Sequence, residues 1–190
     1  MDHLKPILMN YRRELIVDNE LRLKEIGLED VDSIYRTVVN EREYLGKWLP
    51  FVSITNKRSD SQAFVQSIIN SGKKNFICTI FFQQMFVGLI GLKDIDSFNK
   101  KSEIGYWLSE AFQQKGIIAR SSKAIIDYAF DELCLNRIQI KVATGNLKSL
   151  RVAERLGFTC EGIERQGELL DNGYADLIVF GLLKNERLII

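Results

Sequence analysis

The chain contains 190 residues, of which 46% are hydrophobic and 27% are charged. This composition is typical of one globular domain and excludes intrinsic disorder, and no apolar run approaches the roughly 20 residues of a membrane-spanning helix. Lys and Arg number 26 and Asp and Glu 25, so the net charge of +1 gives no electrostatic reason to expect nucleic acid or a membrane as a partner.

The reactive side chains exclude further kinds of site. The one histidine is His3, near the start of the chain, so we expect neither a Ser-His-Asp triad nor a histidine-rich metal site. Cys78, Cys134 and Cys160 are far apart and lack metal-ligand spacing, which indicates reduced, packing thiols. With no apolar signal-peptide core near the N-terminus, a cytoplasmic location is expected. A general base must then be a carboxylate, tyrosine, cysteine, lysine or water.

The chain begins with a predicted strand and helix. Residues 19–26 alternate polar and apolar side chains, as a half-exposed strand does. Residues 29–39 have the apolar spacing of a helix, with acidic residues in the first turn. Residues 42–51 are interrupted by a glycine and a proline yet are rich in apolar side chains. Core packing explains these side chains, but Trp48 and Leu49 are also candidates for the wall of a substrate cleft.

The next elements predict a helix followed by a hairpin. A helix is expected over residues 59–71, with a glycine just after its end. Residues 75–82 and 85–92 are apolar strands separated by two glutamines, an uncommon pair for a tight turn. Residues 93–102 are predicted to be a polar loop.

The following strand and helix enclose a loop that could bind an anion. Residues 103–108 predict a strand, in which Gly105 suggests a bulge or a close approach by a ligand. Residues 116–133 predict a helix, and Gly116 stands at its entrance. The unpaired N–H groups and the dipole of a helix N-terminus suit a phosphate. Taken alone, this loop is better explained as an ordinary connection between strand and helix.

The remaining elements complete an alternating pattern. Residues 137–143 predict a strand, and a helix follows that begins with Asn146 as its N-cap and ends at Gly157. Residues 158–166 and 175–183 predict two strands, joined by a hairpin that contains an Asp-Asn-Gly turn.

This order of elements defines an α/β protein with a mixed sheet. We expect one domain over residues 1–190, with residues 1–18 as an N-terminal extension and residues 19–184 as the core. The sequence shows no internal repeat, low-complexity tract or linker.

Four strings in this order resemble the GCN5-related N-acetyltransferase (GNAT) superfamily. They are EIGYWL at 103–108, FQQKGII at 112–118, NLKS at 146–149 and RLGF at 155–158. The resemblance implies a mixed, mostly antiparallel twisted sheet of about seven strands, flanked by helices, with a splayed central strand pair. The helical region 28–73 and the C-terminal string GELLDNGYADLIVF resemble the ribosomal-protein alanine/serine N-acetyltransferases (the RimJ/RimL group).

The resemblance implies acetyl-CoA as the cofactor. In the family's Gln/Arg-x-x-Gly-x-Gly/Ala motif, Gln113 matches the first position and Gly116 the fourth, while Ile118 departs from the last. A bulge near Gly105 and Tyr106 would part this strand from the next and open a slot for pantetheine. The implied cofactor-binding residues are Ile104, Gly105, Tyr106, Trp107, Leu108, Gln113, Gln114, Lys115, Gly116, Ile117, Ile118, Ala119, Asn146 and Ser149.

The resemblance also implies roles for the helix that follows Asn146. Asn146 would contact pantetheine, and Ser149 would donate a proton to the departing thiolate. Because Asn at the N-cap and Ser three residues later also form a plain helix cap, capping alone remains the alternative.

Two carboxylates are candidates for the base that takes the proton of the amine. Glu168 is the first choice, since it follows Phe158 by the same separation as the glutamate proposed as base in the ribosomal-protein serine acetyltransferases. Glu103 competes with it from the start of the cofactor strand, and either could be a plain surface residue. The expected substrate-binding residues are Trp48, Leu49, Glu168 and Tyr174.

A weak base favours a weakly basic acceptor. An α-amine has a pKa near 7.7–8 and a lysine one near 10.4, so deprotonation near neutral pH costs about 1 and about 4.5 kcal/mol respectively. We therefore expect transfer to a primary amine, with a ribosomal protein N-terminus as the first candidate. The alternatives are a small amine such as an amino acid, polyamine or aminoglycoside, or a non-catalytic acyl-CoA-binding module. The sequence does not decide between a monomer and a dimer.

Overall fold

A computed structural model describes residues 12–187 of the chain. His3 therefore lies outside the described residues. The strands are β1 (Glu14–Ile16), β2 (Leu21–Glu25), β3 (Phe76–Phe82), β4 (Met85–Asp96), β5 (Lys101–Leu108), β6 (Arg137–Ala143), β7 (Thr159–Leu170) and β8 (Gly173–Leu183). The helices are α1 (Val31–Asn40), α2 (Arg42–Leu45), α3 (Phe51–Ile54), α4 (Arg58–Asn70), α5 (Ile117–Asp127) and α6 (Leu147–Arg155). No helix within residues 12–187 is long and apolar enough to cross a membrane.

The eight strands form one sheet in the order β1-β2-β3-β4-β5-β6-β8-β7. Neighbouring strands are antiparallel except for the parallel pair β5 and β6. The predicted α/β class and mixed sheet are confirmed. The strand beyond the predicted seven is β1, whose three residues pair with β2 from Glu14 opposite Lys24 to Ile16 opposite Arg22. A strand this short has no periodicity of its own, so its pairing depends on the neighbouring strand.

The central parallel pair separates after three residue pairs, from Lys101 opposite Arg137 to Glu103 opposite Gln139. This confirms the splayed pair. The predicted bulge at Gly105 is wrong, because β4 and β5 stay in register between Gly88–Lys93 and residues 103–108. The register shift lies beyond Lys93 instead.

Two apolar cores cover the two faces of the sheet. Since successive side chains of a strand point to opposite faces, β5 contributes to both. Ile104 packs in the core that contains Ile117 and Ile125 of α5. Trp107 packs in the core that contains Ile34 of α1 and Val65 of α4. The sheet therefore separates the side that carries α5 from the side that carries α1 and α4.

Two predicted boundaries are wrong. Residues 93–102 are not a loop, because β4 continues to Asp96 and β5 begins at Lys101. A hairpin is held by backbone hydrogen bonds, so its outer end forms without the apolar side chains used to recognise a strand. The predicted helix over residues 116–133 is regular only to Asp127, and a π-helical turn, Tyr128–Glu132, follows it.

The turn between β3 and β4 is strained by its sequence. Gln83 and Gln84 both have positive φ, at 49° and 67°. These values are those of a two-residue type I′ turn, which suits the twist of a hairpin and favours Asn or Gly. A β-carbon disfavours this left-handed conformation.

Replacing Gln84 by glycine should stabilise the protein by about 1 kcal/mol, since relief of the left-handed strain outweighs the added freedom of the unfolded chain. Thermal unfolding should show a midpoint about 2–4 °C higher. As a control, Gln62→Gly on the exposed side of α4 should destabilise by about 1 kcal/mol. A lower midpoint for Gln84→Gly would contradict the assigned turn.

Candidate active site

Two open spaces meet at the splayed strands. A cleft of about 1020 Å³ lies on the α1–α4 side of the sheet, and a groove of about 460 Å³ extends from the end of β5 towards α6. Six residues line both spaces, which are Trp48, Leu49, Tyr106, Trp107, Asn146 and Ser149. A ligand in the groove and a ligand in the cleft would therefore touch at this junction.

A pair of hydroxyls lies at the junction. The Tyr106 Oη and Ser149 Oγ atoms are 2.7 Å apart, and either can donate to the other. Burial raises the pKa of Tyr106, and the hydrogen bond to Ser149 only partly offsets this. The phenol is therefore protonated at neutral pH.

Ser149 is also held by the helix cap. Its N–H donates to Asn146 Oδ1 at 3.2 Å, as the sequence predicted for an N-cap. Both residues also line the two spaces, so the helix cap leaves them beside the cleft and the groove.

The loop before α5 offers unpaired backbone donors. Gly116, the N-cap of α5, has φ 68° and ψ 8°, and Gln114 also has positive φ, at 63°. No acceptor within residues 12–187 is hydrogen-bonded to an N–H group of residues 114–119. A β-carbon on Gly116 would meet no atom within 4 Å, so backbone conformation and not crowding favours glycine here. Consecutive free N–H groups at a helix N-terminus form an anion site.

The other residues of the loop motif lie in different surroundings. Gln113 and Ile118 line the groove, while Ile117 is buried in the core beneath it. Ile118 also packs against that core, so a large side chain is accommodated at the position that departs from the family motif. Lys115 is exposed, with its Nζ 5.2 Å from the ring centroid of Phe112.

The two candidate carboxylates have different surroundings. Glu103 forms an ion pair with Lys93 Nζ at 2.7 Å and accepts a hydrogen bond from Gln139 Nε2 at 3.2 Å. Gly105 makes room for this arrangement, because a β-carbon there would lie 3.1 Å from Lys93 Cε. The glycine that suggested a bulge thus accommodates a lysine side chain instead.

Glu168 lines the cleft from β7, and within residues 12–187 it has neither an ion pair nor a side-chain hydrogen bond. Burial raises the pKa of Glu168; the charge of Lys93 opposes this effect, and the charge of Glu103 adds to it. Among its neighbours, Lys141 is paired with Glu164 at 2.7 Å. Glu168 is therefore the less engaged of the two candidate carboxylates.

A bulge in β7 positions Glu168. Residues 165–167 stand opposite the single residue Asp176, since Glu164 pairs with Leu177 and Glu168 with Ala175. Gln166 has φ 52°, and its N–H donates to Asp176 Oδ1 at 2.7 Å. The bulge had no recognised signal in the sequence, because its acceptor lies ten residues further along the chain.

Of the predicted substrate-binding residues, Trp48 and Leu49 line the cleft with Glu168, and Tyr174 does not. Trp48 lies against Gly145, where a β-carbon would be 3.1 Å from Trp48 Cη2. Leu49 lines both spaces with it. Tyr174 is 67% exposed beside the β7–β8 turn and lines neither space.

The sequence pattern gave no sign of Glu41. Its carboxylate accepts a hydrogen bond from the Ser109 hydroxyl and another, at 2.8 Å, from the Glu110 N–H.

These residues fit an acyl-CoA. The free N–H groups of residues 114–119 suit its pyrophosphate. The pairing of β5 with β6 ends at Glu103, so within residues 12–187 the backbone groups of Ile104–Leu108 that point away from β4 have no strand partner and suit the amides of pantetheine. The hydroxyls of Tyr106 and Ser149 stand where the groove reaches the cleft. The fold and the site together define an acyl-CoA-dependent transferase.

Residues 20–159 match the sequence profile of the acetyltransferase (GNAT) domain. The chain belongs to this family and is an N-acetyltransferase that uses acetyl-CoA. It is 32% identical over 176 residues to YdaF of Bacillus subtilis (strain 168), which is named as a proposed ribosomal N-acetyltransferase. The alignment covers 90% of this chain and 94% of the relative.

Two solved structures share the fold over nearly the whole chain. One is RimL, a ribosomal L7/L12 α-N-protein acetyltransferase in complex with coenzyme A, with a TM-score of 0.87, 26% identity, and coverage of 90% of this chain and 98% of that chain. The other is the microcin C7 self-immunity acetyltransferase MccE in complex with acetyl-CoA and AMP, with a TM-score of 0.84, 28% identity, and coverage of 88% and 94%.

Replacing Lys93 by methionine should raise the pKa of Glu168 further, because a cation that lowers it is removed while burial and the charge of Glu103 remain. Titration of the side-chain carboxyl carbon by NMR would measure this change. Lys123→Met is the matched control, since Lys123 pairs with Asp127 on α5 and should leave Glu168 unchanged. An unaltered Glu168 titration in Lys93→Met would contradict the described electrostatics.

Proposed function

We propose that this N-acetyltransferase transfers acetyl to the α-amine of a protein N-terminus, with a ribosomal protein as the first candidate. The observation that carries the proposal is the carboxylate of Glu168, which has no ion pair within residues 12–187 and lies in the cleft that meets the groove. The names of YdaF and RimL, both similar to this chain over most of its length, support the same acceptor. The expected cytoplasmic location would suit such an acceptor and stays a prediction.

Acetyl-CoA would be held on the α5–α6 side. Residues 113–119 would receive the pyrophosphate, and the backbone of Ile104–Leu108 would pair with pantetheine. When bound, acetyl-CoA supplies an acetyl group activated as a thioester. Asn146 and Ser149 would line its inner end, so the acceptor in the cleft would attack directly, with both ligands bound at once.

Glu168 would take the proton of the acceptor ammonium. A carboxylate whose pKa is raised by burial is a stronger base than an exposed one, and the pKa of an α-amine is closer to it than that of a lysine. Glu103 is the weaker candidate, because Lys93 and Gln139 already engage its carboxylate.

The hydroxyl pair would return a proton to the sulfur. Ser149 Oγ would donate its proton to the departing thiolate while its hydrogen bond to the Tyr106 hydroxyl stabilises the oxygen, and the proton that the attacking nitrogen loses on becoming an amide would restore the Ser149 hydroxyl. The raised pKa of Tyr106 keeps that hydroxyl protonated for this role.

Glu168→Gln should lower kcat by about 10²- to 10⁴-fold, the usual contribution of a general base, while the affinity for acetyl-CoA stays unchanged. Steady-state assays of thiol release and calorimetric titration with acetyl-CoA would measure the two effects. Glu161→Gln is the control on the same strand, where the carboxylate pairs with Arg137. If Glu103→Gln costs more activity than Glu168→Gln, the two carboxylates have the reverse roles.

The acceptor class is tested with purified enzyme, acetyl-CoA and a panel of amines. Peptides that begin with serine or alanine should be acetylated, and the same peptides with a blocked N-terminus and an internal lysine should not, since lysine is the harder amine to deprotonate. Free amino acids, a polyamine and an aminoglycoside are the competing acceptors. Turnover of one of these without turnover of any peptide would establish the small-amine alternative.

A further inference from the structure

The opening of the cleft carries an exposed apolar wall. Phe51 and Ile54 of α3 and Phe64 of α4 are 37%, 71% and 40% exposed, and all three line the cleft that contains Glu168. Side chains of this size that remain exposed around a functional cleft indicate a surface that binds an apolar ligand. The apolar wall, defined here as Phe51, Ile54 and Phe64, is thus continuous with the acceptor site.

The local structure holds this wall in place. Phe51 and Ile54 are three residues apart, so they project from the same side of α3. Ser61, Phe64 and Ile68 follow at spacings of three and four along α4 and all line the cleft. The opposite side is formed by the sheet, where Ile77 and Leu89 belong to the core beneath.

The dimensions of the cleft suit a short stretch of polypeptide. Its volume of about 1020 Å³ is at the upper end of the range for small-molecule sites. A sphere of that volume is about 12 Å across, a length that an extended chain spans with about three to four residues. A lone small amine would leave much of the apolar wall in water.

One polar group that lines the cleft beside the apolar wall also lacks a partner. Ser61 is 3% exposed, and within residues 12–187 its Oγ has no hydrogen-bond partner. It is the one such atom whose residue lines the cleft in this part of the chain. A buried hydroxyl without a partner is costly unless a ligand supplies one, and a peptide backbone offers both donors and acceptors.

We infer that the apolar wall binds residues two to four of the acceptor polypeptide, so that the enzyme selects N-termini followed by apolar side chains. This inference rests on the proposed function, because it requires an N-terminal peptide as the acceptor. The carboxylate of Glu168 receives the amine, and the wall receives the apolar segment behind it.

Two peptides with the same first residue test the inference on the unaltered enzyme. One carries leucine or isoleucine at positions two to four, and the other carries asparagine or threonine there. The apolar peptide should have a kcat/KM about 10-fold or more higher, since a few methylene groups in an apolar site account for that ratio. Equal kcat/KM values for the two peptides would overturn the inference and leave the proposed function intact.

Variants of the apolar wall test whether it causes the preference for the apolar peptide. Ile54→Ser and Phe64→Ser should each reduce the ratio between the two peptides several-fold, while the KM for acetyl-CoA stays constant. Phe98→Ser is the matched control, because Phe98 is 93% exposed in the β4–β5 turn and lines neither space. A ratio that persists in Ile54→Ser and Phe64→Ser would overturn the assignment to this wall. If a small amine is acetylated and no peptide is, the proposed function fails, and the inference fails with it.

Discussion

The separation of β5 from β6 is the constraint on which the site depends. Three residue pairs join the strands, and beyond Glu103 the backbone of β5 has a partner on only one side. Unpaired backbone groups inside a protein are costly unless a ligand or water satisfies them. The opening therefore suits an extended ligand with amide groups, and it also connects the two sides of the sheet, so donor and acceptor can approach from opposite directions.

The electrostatics of the cleft follow from the same strand. Lys93 of β4 stands opposite Glu103, pairs with it, and extends over Gly105, which has no side chain. That pair engages one carboxylate, while Glu168 remains without an ion pair within residues 12–187. Two carboxylates in one cleft thereby acquire different properties, and burial raises the pKa of the unpaired one.

The segment that follows α1, which contains α2 and α3, contacts both the cleft and the connection between β5 and α5. Glu41, just after α1, accepts hydrogen bonds from Ser109 and Glu110, at the start of the segment that leads to the loop before α5. Trp48, a few residues further along, lines both the cleft and the groove. The same short region also carries part of the apolar wall. One segment of the chain therefore contributes both to the cleft and to the connection that leads to α5.

The sequence alone determined the features that depend on residues close together in the chain. Apolar periodicity predicted the main strands and helices, Gly116 predicted a loop that could bind an anion, and Asn146 predicted a helix cap, because each signal lies within one element. Only the tertiary structure decided the pairing of Lys93 with Glu103 over Gly105 and the bulge that places Glu168. These arrangements join residues from different strands, and their contacts have no periodicity or local spacing that a sequence pattern could reveal.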